Sequence, residues 1–324
     1  MRATSLGAKV IGVLALAVTT NLASAQSFPD HPIRVLIPYA PGGGTDIIFR
    51  TISPDASAKL GQSIVVDNHP GGSTIIGTGL VSRAPADGYT LLATDSAILI
   101  NPGLFKAQLT YDTLASLTGV TMMATSPALL VVNPKVPARN LDELIALAKS
   151  KPGTLNYASG GVGTATHLAG ELMKLAAGID VKHIPYRGTG PALTAVLSGE
   201  VDMGFLGISS ARQYVETGAL RAIALTGHER NPGMPDLPTF AESKLNVDAN
   251  SYWGIYAPAG VPKPIIDQLN RAFAQALHRP ENQKRLAELG YIPIANSPEE
   301  HSAQFRAMVE QWMTVVEKAK IQME

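Results

Sequence analysis

Two glycine-rich segments place hydroxyl and carboxyl side chains where they could bind an anion. The first runs from Gly42 to Asp46 (GGGTD), and the second runs from Ser159 to Thr164 (SGGVGT). In each, an apolar run leads into the glycines and a helical pattern follows. A helix start has unpaired N–H groups and the positive end of the helix dipole. We predict that the first turn grips a carboxylate and that the second faces it across a cleft. A structural turn with a Thr or Asp cap is the alternative for the first.

Other chemistries fit these segments less well. The first segment lacks the lysine of a P-loop and the G-x-G-x-x-G spacing of a dinucleotide fold. Ser73 and Ser159 each lack one glycine of the G-x-S-x-G motif, because Ile75 and Tyr157 occupy those positions. A secreted hydrolase using Ser73, Ser96 or Ser159 is therefore kept only as an alternative function. His167 and Glu171 are four residues apart, but no third ligand has a diagnostic spacing. A hydrogen bond on one helix face is therefore expected there, and no metal, cofactor or catalytic residue is predicted.

The N-terminus is typical of a secretory signal. Arg2 and Lys9 precede an apolar stretch at Val10–Val18, and the small residues Ala23-Ser24-Ala25 follow. An apolar stretch this short is well under the ~20 residues that span a bilayer. We predict cleavage after Ala25 and export of the mature protein.

Charge and cysteine content exclude several classes of function. The 26 Lys and Arg residues balance 26 Asp and Glu residues, and no basic run occurs, which argues against nucleic acid as a partner. The chain has no cysteine, so disulfides, thiol nucleophiles and thiolate metal sites are excluded.

Strand-like and helix-like segments alternate along most of the chain, which is typical of an α/β fold with parallel sheets. Two apolar strands, Pro127–Val132 and Ser251–Ala257, have the character of crossing segments. We predict two lobes, each a mainly parallel sheet flanked by helices, with the crossing strands as the hinge. Residues 1–25 form the signal, residues 26–127 and 253–324 form lobe 1, and residues 128–252 form lobe 2.

The mature chain resembles the tripartite tricarboxylate transporter substrate-binding proteins, the Bug or TctC family, almost from end to end. The matching segments occur in the family's order: PIRVLIPYAPGGGTD, NHPGG, APADGYTLL, INPGLF, LNYASGGVGTATHLAGEL, HIPYRGTGPAL, GEVDMGF, LRAIALTGHER, MPDLPTFAES and YWGIYAPAGVPKPIIDQLN. The resemblance implies a type II periplasmic binding fold that closes over a small organic acid and performs no reaction. It also implies delivery of that acid to a membrane permease with one large and one small subunit. A ligand sensor that docks on a periplasmic receptor domain is a further alternative. We expect a monomer.

The resemblance also assigns the site. It implies that main-chain amides and ordered water hold the ligand carboxylate around the first glycine turn and the loop before the Thr164 helix. The ligand-binding residues predicted from the pattern and the resemblance together are Tyr39, Gly43, Thr45, Asp46, Ser96, Ile98, Ser159, Thr164, Phe205 and Leu206.

Two positions depart from the family's pattern. The family usually has His where this chain has Ile98, and often has Asp-Asn where this chain has Leu206-Gly207. An Asp at the position of Leu206 suits ligands with an amino group. Because this chain has Leu206 there, an amino-acid ligand is less favoured. An apolar pocket bounded by Tyr39, Ile98, Phe205 and Leu206 would instead favour an aromatic or hydrophobic carboxylate.

Overall fold

The computed structural model describes residues 28–318, so the predicted signal and its cleavage after Ala25 lie outside the described residues. This part of the chain forms two sheets with helices packed on both faces. Within it, none of the helices combines the length and apolar character that crossing a membrane requires.

Six strands build the first sheet. They are β1 (Ile33–Ile37), β2 (Ile64–Asn68), β3 (Thr90–Thr94), β4 (Leu117–Ser126), β10 (Ser251–Pro258) and β11 (Ile292–Pro293). Their order is β11-β4-β10-β3-β1-β2. β1 pairs in parallel with β2 and β3, whereas β10 runs antiparallel between β3 and β4.

Five strands build the second sheet. They are β5 (Ala128–Val132), β6 (Asn156–Ser159), β7 (Lys182–Pro185), β8 (Met203–Gly207) and β9 (Arg221–Leu225), in the order β7-β6-β8-β5-β9. β6 pairs in parallel with β7 and β8, and β5 runs antiparallel to β8 and β9. Both sheets are mixed, but four of the six strands in the first sheet and four of the five in the second run in one direction, as predicted for mainly parallel sheets. In each sheet the crossing strand, β10 or β5, enters from the other sheet and runs against its neighbours.

The helices follow the strands closely along the chain. They are α1 (Gly44–Leu60), α2 (Ile75–Ser82), α3 (Ala97–Leu104), α4 (Thr113–Ser116), α5 (Leu141–Ser150), α6 (Ala165–Ala177), α7 (Thr189–Ser198), α8 (Ile208–Glu216), α9 (Lys263–Leu277), α10 (Pro280–Glu288) and α11 (Pro298–Lys318). Helix α5 begins with a capping box, because Asn140 Oδ1 accepts the N–H of Glu143 and a Glu143 oxygen accepts the N–H of Arg139.

Alternation along the strands divides the buried residues into three clusters. Val35 and Ile37 face α1 and α9, whereas Leu36 faces the opposite side of the sheet, where α3 and α11 pack. That second cluster continues into the other sheet through residues such as Leu130. A third cluster lies beneath α7 and α8 of the second sheet.

The chain passes between the sheets at two places that touch each other. Only Pro127 separates β4 from β5 on the outward passage, and the segment ending at Asn250 precedes β10 on the return. Thr226 joins them, because its Oγ1 accepts the N–H of Ala128 at 2.8 Å and donates to Oδ1 of Asn250 at 3.1 Å. The lobe boundaries at residues 127 and 252 stay a prediction, although strands β5–β9 and the remaining strands fall in different sheets.

Candidate functional site: strand ends and helix starts between the two sheets

The first glycine turn leads from β1 into α1. Gly42 has a φ of +84°, which favours glycine, and Gly43 precedes the first helical residue in an extended conformation. The Gly42 N–H donates to Oδ2 of Asp46 at 3.0 Å. Asp46 is 3% exposed and also accepts Nε of Arg50 at 2.9 Å and Nδ2 of Asn68 at 3.1 Å. The carboxylate of Asp46 is thus engaged inside the turn.

This geometry corrects the expectation that Asp46 caps the helix. Gly43 is the N-cap residue and makes no side-chain cap, while Asp46 lies in the first turn and reaches back to Gly42. Burial opposes ionisation of Asp46, but the hydrogen bonds from Arg50, Gly42 and Asn68 prevail and lower its pKa. An ionised Asp46 fixes the shape of the turn, and the N–H groups at the helix start remain the groups suited to an anion.

The ends of β1 and β3 meet through a short hydrogen bond. Tyr39 follows β1 and donates its hydroxyl to Oδ1 of Asp95, which follows β3, at 2.5 Å. The same oxygen accepts the N–H of Ala97 at 2.9 Å. Burial raises the pKa of Asp95, and burial together with the nearby Asp95 raises that of Tyr39.

Ser96 is 2% exposed and ties the start of α3 to β10. Its Oγ accepts the N–H of Tyr252 at 2.8 Å, so this predicted site hydroxyl is engaged by the backbone of the returning strand. Thr45, in the first turn of α1, is 2% exposed.

The second glycine turn leads from β6 into α6 and is fixed by hydroxyl groups. Ser159 Oγ accepts the N–H of Gly161 at 3.1 Å, and Thr164 Oγ1 donates to the carbonyl of Gly161 at 2.7 Å. Thr164 is the N-cap of α6 and accepts the N–H of His167 at 3.3 Å, as predicted for a cap residue. The Thr166 hydroxyl accepts the N–H of Gly160 at 3.1 Å.

Two histidines that the sequence leaves scattered meet behind this turn. The rings of His167 and His183 stack with centroids 4.1 Å apart. His183 Nε2 lies 2.7 Å from Ser159 Oγ, and His167 Nδ1 accepts the N–H of Gly163 at 3.2 Å. Burial lowers the pKa of His167 to about 4, and burial together with the neighbouring His167 lowers that of His183 to about 3. Both rings are therefore neutral at pH 7 and act as hydrogen-bond partners of the turn.

Glu171 bonds to groups other than the His167 ring that was expected to pair with it. Its carboxylate accepts the Tyr157 hydroxyl at 2.8 Å and Nζ of Lys174 at 2.9 Å. Within residues 28–318 no group of three His, Asp or Glu residues is arranged to hold a metal ion.

The four side chains expected to bound one apolar pocket do not share a cluster. Ile98 and Phe205 belong to the cluster that joins both sheets, Leu206 belongs to the cluster beneath α7 and α8, and Tyr39 packs against the cluster beneath α1. Phe205 and Leu206 are both 0% exposed and, as successive strand residues, point to opposite faces of β8. The four side chains thus pack in three different clusters, and their common pocket stays a prediction.

The helix starts of the two sheets approach each other through Tyr291. A Cβ built on Gly44, the first residue of α1, would lie 3.0 Å from the Tyr291 hydroxyl and 3.5 Å from Cζ2 of Trp253. The same hydroxyl lies 3.5 Å from Oγ of Ser209 in the first turn of α8. On the other side, a Cβ on Gly163 would lie 2.7 Å from Cδ2 of Leu104, at the end of α3. Both glycine turns thus lie where the two sheets meet.

Several residues of this region are not among those predicted from the sequence. Asn68 and Asp95 could have been found, because each ends or follows a parallel strand, where side chains converge. Trp253 and Tyr291 carry no such signal, since they reach the first glycine turn from an antiparallel strand and from the segment after α10.

Two α/β sheets joined by two crossings, with helix starts converging between them, define the class of two-lobe binding proteins. A sequence profile described as "Tripartite tricarboxylate transporter family receptor" (TctC) matches residues 48–321. The chain is 34% identical over 310 residues to protein BugT of Bordetella pertussis, covering 95% of each protein. The chain belongs to the TctC, or Bug, family of tripartite tricarboxylate transporter receptors, as the resemblance predicted.

Solved structures share this architecture. The structure titled "R. palustris Rpa4515 with adipate" is 30% identical with a TM-score of 0.83, and the comparison covers 91% of this chain and 99% of that one. MatC (Rpa3494) from Rhodopseudomonas palustris with bound malate is also 30% identical, with a TM-score of 0.77 over 89% of this chain and 100% of that one. The fold class is thereby confirmed.

Proposed function

We propose that the protein captures a small organic carboxylate between the two sheets and delivers it to a tripartite tricarboxylate-type permease with one large and one small subunit. The observation that carries this proposal is the position of the two glycine turns. Each joins the carboxyl end of a parallel strand to a helix start, and both lie where the sheets meet. Helix starts in such a place stabilise a carboxylate with main-chain N–H groups. The two relatives with adipate and malate, both carboxylates, support the ligand class.

The remaining parts of the proposal follow from the family. The protein acts in the periplasm after cleavage behind Ala25, works as a monomer and turns nothing over. The two crossings at Pro127 and before Ser251 act as the hinge between the lobes. The ten predicted ligand-binding residues remain part of the proposal. Within that set, the turns containing Gly43 and Thr164 supply the N–H groups, and Asp46 and Ser159 hold those turns in shape.

A panel of aliphatic and aromatic carboxylates tests the binding function by thermal shift, with calorimetry for each hit. A ligand at 100 times its dissociation constant stabilises the folded protein by about 2.7 kcal/mol and raises the melting temperature. Thr164→Val removes the cap of α6 and should weaken binding by more than ~1 kcal/mol. A panel in which no carboxylate shifts the melting temperature, together with a purified protein that carries none, would contradict the proposal.

The transport and sensor functions can be distinguished by the partner that the ligand-bound protein binds. Closed, ligand-bound protein should be retained by membranes that contain the permease, and ligand-free protein should be retained less. Retention instead by an isolated periplasmic receptor domain would favour the sensor function.

A further inference from the structure

A carboxylate lies on the same side of the first sheet as the glycine turn that is suited to bind an anion. Leu91 and Ala93 of β3 belong to the cluster beneath α1, whereas Leu92 faces the opposite side. Alternation places Asp95 on the α1 side, just beyond the carboxyl end of β3. Tyr39 confirms this placement, because it packs against the same cluster and donates its hydroxyl to Asp95.

Among residues 28–318, hydrogen bonds from other residues reach only one oxygen of Asp95. Oδ1 accepts the Tyr39 hydroxyl and the Ala97 N–H. Within residues 28–318, Oδ2 accepts no hydrogen bond from another residue, and Asp95 forms no ion pair with a Lys, Arg or His. The contrast with Asp46 is clear, since that carboxylate is matched by Arg50, Asn68 and a backbone N–H.

A half-buried carboxylate without a cation is costly, and it repels a second carboxylate nearby. A ligand that carries only carboxylates would increase this cost. A ligand that also carries an N–H or O–H donor would relieve it, because the donor could bond to Oδ2 while the ligand carboxylate lies at the helix start.

We propose that Asp95 selects carboxylates bearing a hydrogen-bond donor, an ammonium or hydroxyl group, beside the carboxylate that the first glycine turn holds. This inference rests on the proposed binding function and names the ligand class of that same site. Ammonium is favoured over hydroxyl because it also supplies the missing positive charge. Tyr39 is a positioning residue, since its hydroxyl fixes the orientation of the Asp95 carboxyl.

Matched ligand sets test the proposal by calorimetry on the mature protein. Each set has one carbon skeleton and differs only at C2, as in succinate, malate and aspartate, and sets from two to six carbons cover unknown ligand length. In the best-binding set, the member with a C2 ammonium or hydroxyl should bind at least about tenfold more tightly than the unsubstituted member. Ammonium and hydroxyl members distinguish the two donors.

Asp95→Asn should reverse this preference. The amide keeps the size of the side chain but loses the charge, so affinity for the ammonium member should fall about tenfold and affinity for the unsubstituted member should rise. Asp87→Asn is the matched control, because it removes one negative charge at an exposed turn at the opposite end of β3 and should leave the ratio unchanged. Circular dichroism and melting temperature verify that both variants fold.

The possible results distinguish a failure of the role proposed for Asp95 from a failure of the carboxylate-binding function. If the wild-type protein binds carboxylates but unsubstituted members bind as tightly, or if Asp95→Asn weakens every member equally, the role of Asp95 is refuted and the binding function stands. If no member of any set binds, both fail together.

Discussion

The Oγ atom of Ser159 lies 2.7 Å from Nε2 of His183, the spacing of a nucleophile and its base, yet the surroundings oppose catalysis. Ser159 is 0% exposed, and its Oγ accepts the N–H of Gly161. In a serine hydrolase with a catalytic triad, a carboxylate stabilises the protonated form of the histidine base. Here burial and then the neighbouring His167 and Lys174 disfavour protonation of His183. This pair fits a structural support of the second glycine turn.

Ser159→Ala should therefore lower the stability of the protein, and we expect no ester hydrolysis in either the wild-type protein or the variant. The change leaves the N–H of Gly161 and the ring of His183 without their partner, and buried unmet groups cost about 1 to 3 kcal/mol each. Urea unfolding measures the loss. Ser150→Ala is the control, because it removes an exposed hydroxyl bonded to the carbonyl of Leu147. It should lower the free energy of unfolding by only about a few tenths of a kcal/mol. Ester hydrolysis by the wild-type protein that Ser159→Ala abolishes would overturn the structural role.

The stability of the protein should fall as the pH drops from about 6.5 to about 3. Burial is the largest cause that lowers the pKa of His167 to about 4 and those of His183 and His301 to about 3, so these rings stay neutral in the folded protein. The unfolded chain takes up their protons near pH 6.5, and each group then reduces the free energy of unfolding by up to about 1.4 kcal/mol per pH unit. Below the folded-state pKa values this loss stops.

Urea unfolding at several pH values measures this effect. His183→Gln should flatten the pH dependence between 6.5 and 3, since it removes one of the neutral rings. His278→Gln changes an exposed ring and should leave the slope unaltered. A free energy of unfolding that stays constant over this range would contradict the prediction.

Neighbouring glycines of the first turn should respond differently to substitution. Gly42 has a φ of +84°, so Gly42→Ala should cost about 1 to 2 kcal/mol through backbone strain alone. Gly43 has a φ of −75°, and a Cβ there would have ordinary contact, 3.6 Å from the carbonyl of Ala40. Gly43→Ala should therefore be nearly neutral for folding. Equal losses of melting temperature in the two variants would show that the turn is not held in this conformation.

The ion pair of Asp46 and Arg50 should matter more than an exposed pair of the same spacing. Asp46→Ala leaves the Gly42 N–H and the Asn68 amide without their acceptor, and each such unmet group costs about 1 to 3 kcal/mol where it is buried. The half-exposed Arg50 contributes less, because water screens its charge. Glu216→Gln breaks the exposed pair with Arg212 on α8 and should cost less than about 1 kcal/mol. Chemical unfolding compares the two.

The same Asp46→Ala variant should bind carboxylates more weakly by more than ~1 kcal/mol, because the turn loses its shape. Calorimetry at a temperature where the variant is folded measures this. Unchanged affinity would separate the turn from the ligand.

The sequence predicts the local elements well wherever apolar spacing or capping residues mark them. Strand β1, the stripe Ile48, Ile52, Ala56 and Leu60 of α1, and the cap of α5 at Asn140 all have such marks. Strand β4 has none, because nearly all its residues are buried and its hydrophobic pattern does not alternate. The sequence pattern therefore does not predict β4. It also does not predict that β10 pairs with β4 in the antiparallel direction.

For the candidate site, the sequence likewise predicts the local turns but not the residues that pack against them. The glycine turns follow from local patterns, since the strand, turn and helix are contiguous in the chain. The partners of those turns do not, because Asn68 approaches Asp46 and His183 approaches Ser159 only after the sheets form. Leu206 packs in the cluster beneath α7 and α8, whereas Asp95 bonds to Tyr39, which packs against the cluster beneath α1.

Strand β10 lies between β3 and β4, although more than a hundred residues separate it from either along the chain. Until that strand arrives, β3 and β4 have no common neighbour, and both expose edges that could pair with other molecules. Pairings between such distant residues form slowly. We therefore expect the first sheet to be completed late in folding. A chain that ends before Ser251 should aggregate rather than form a stable half.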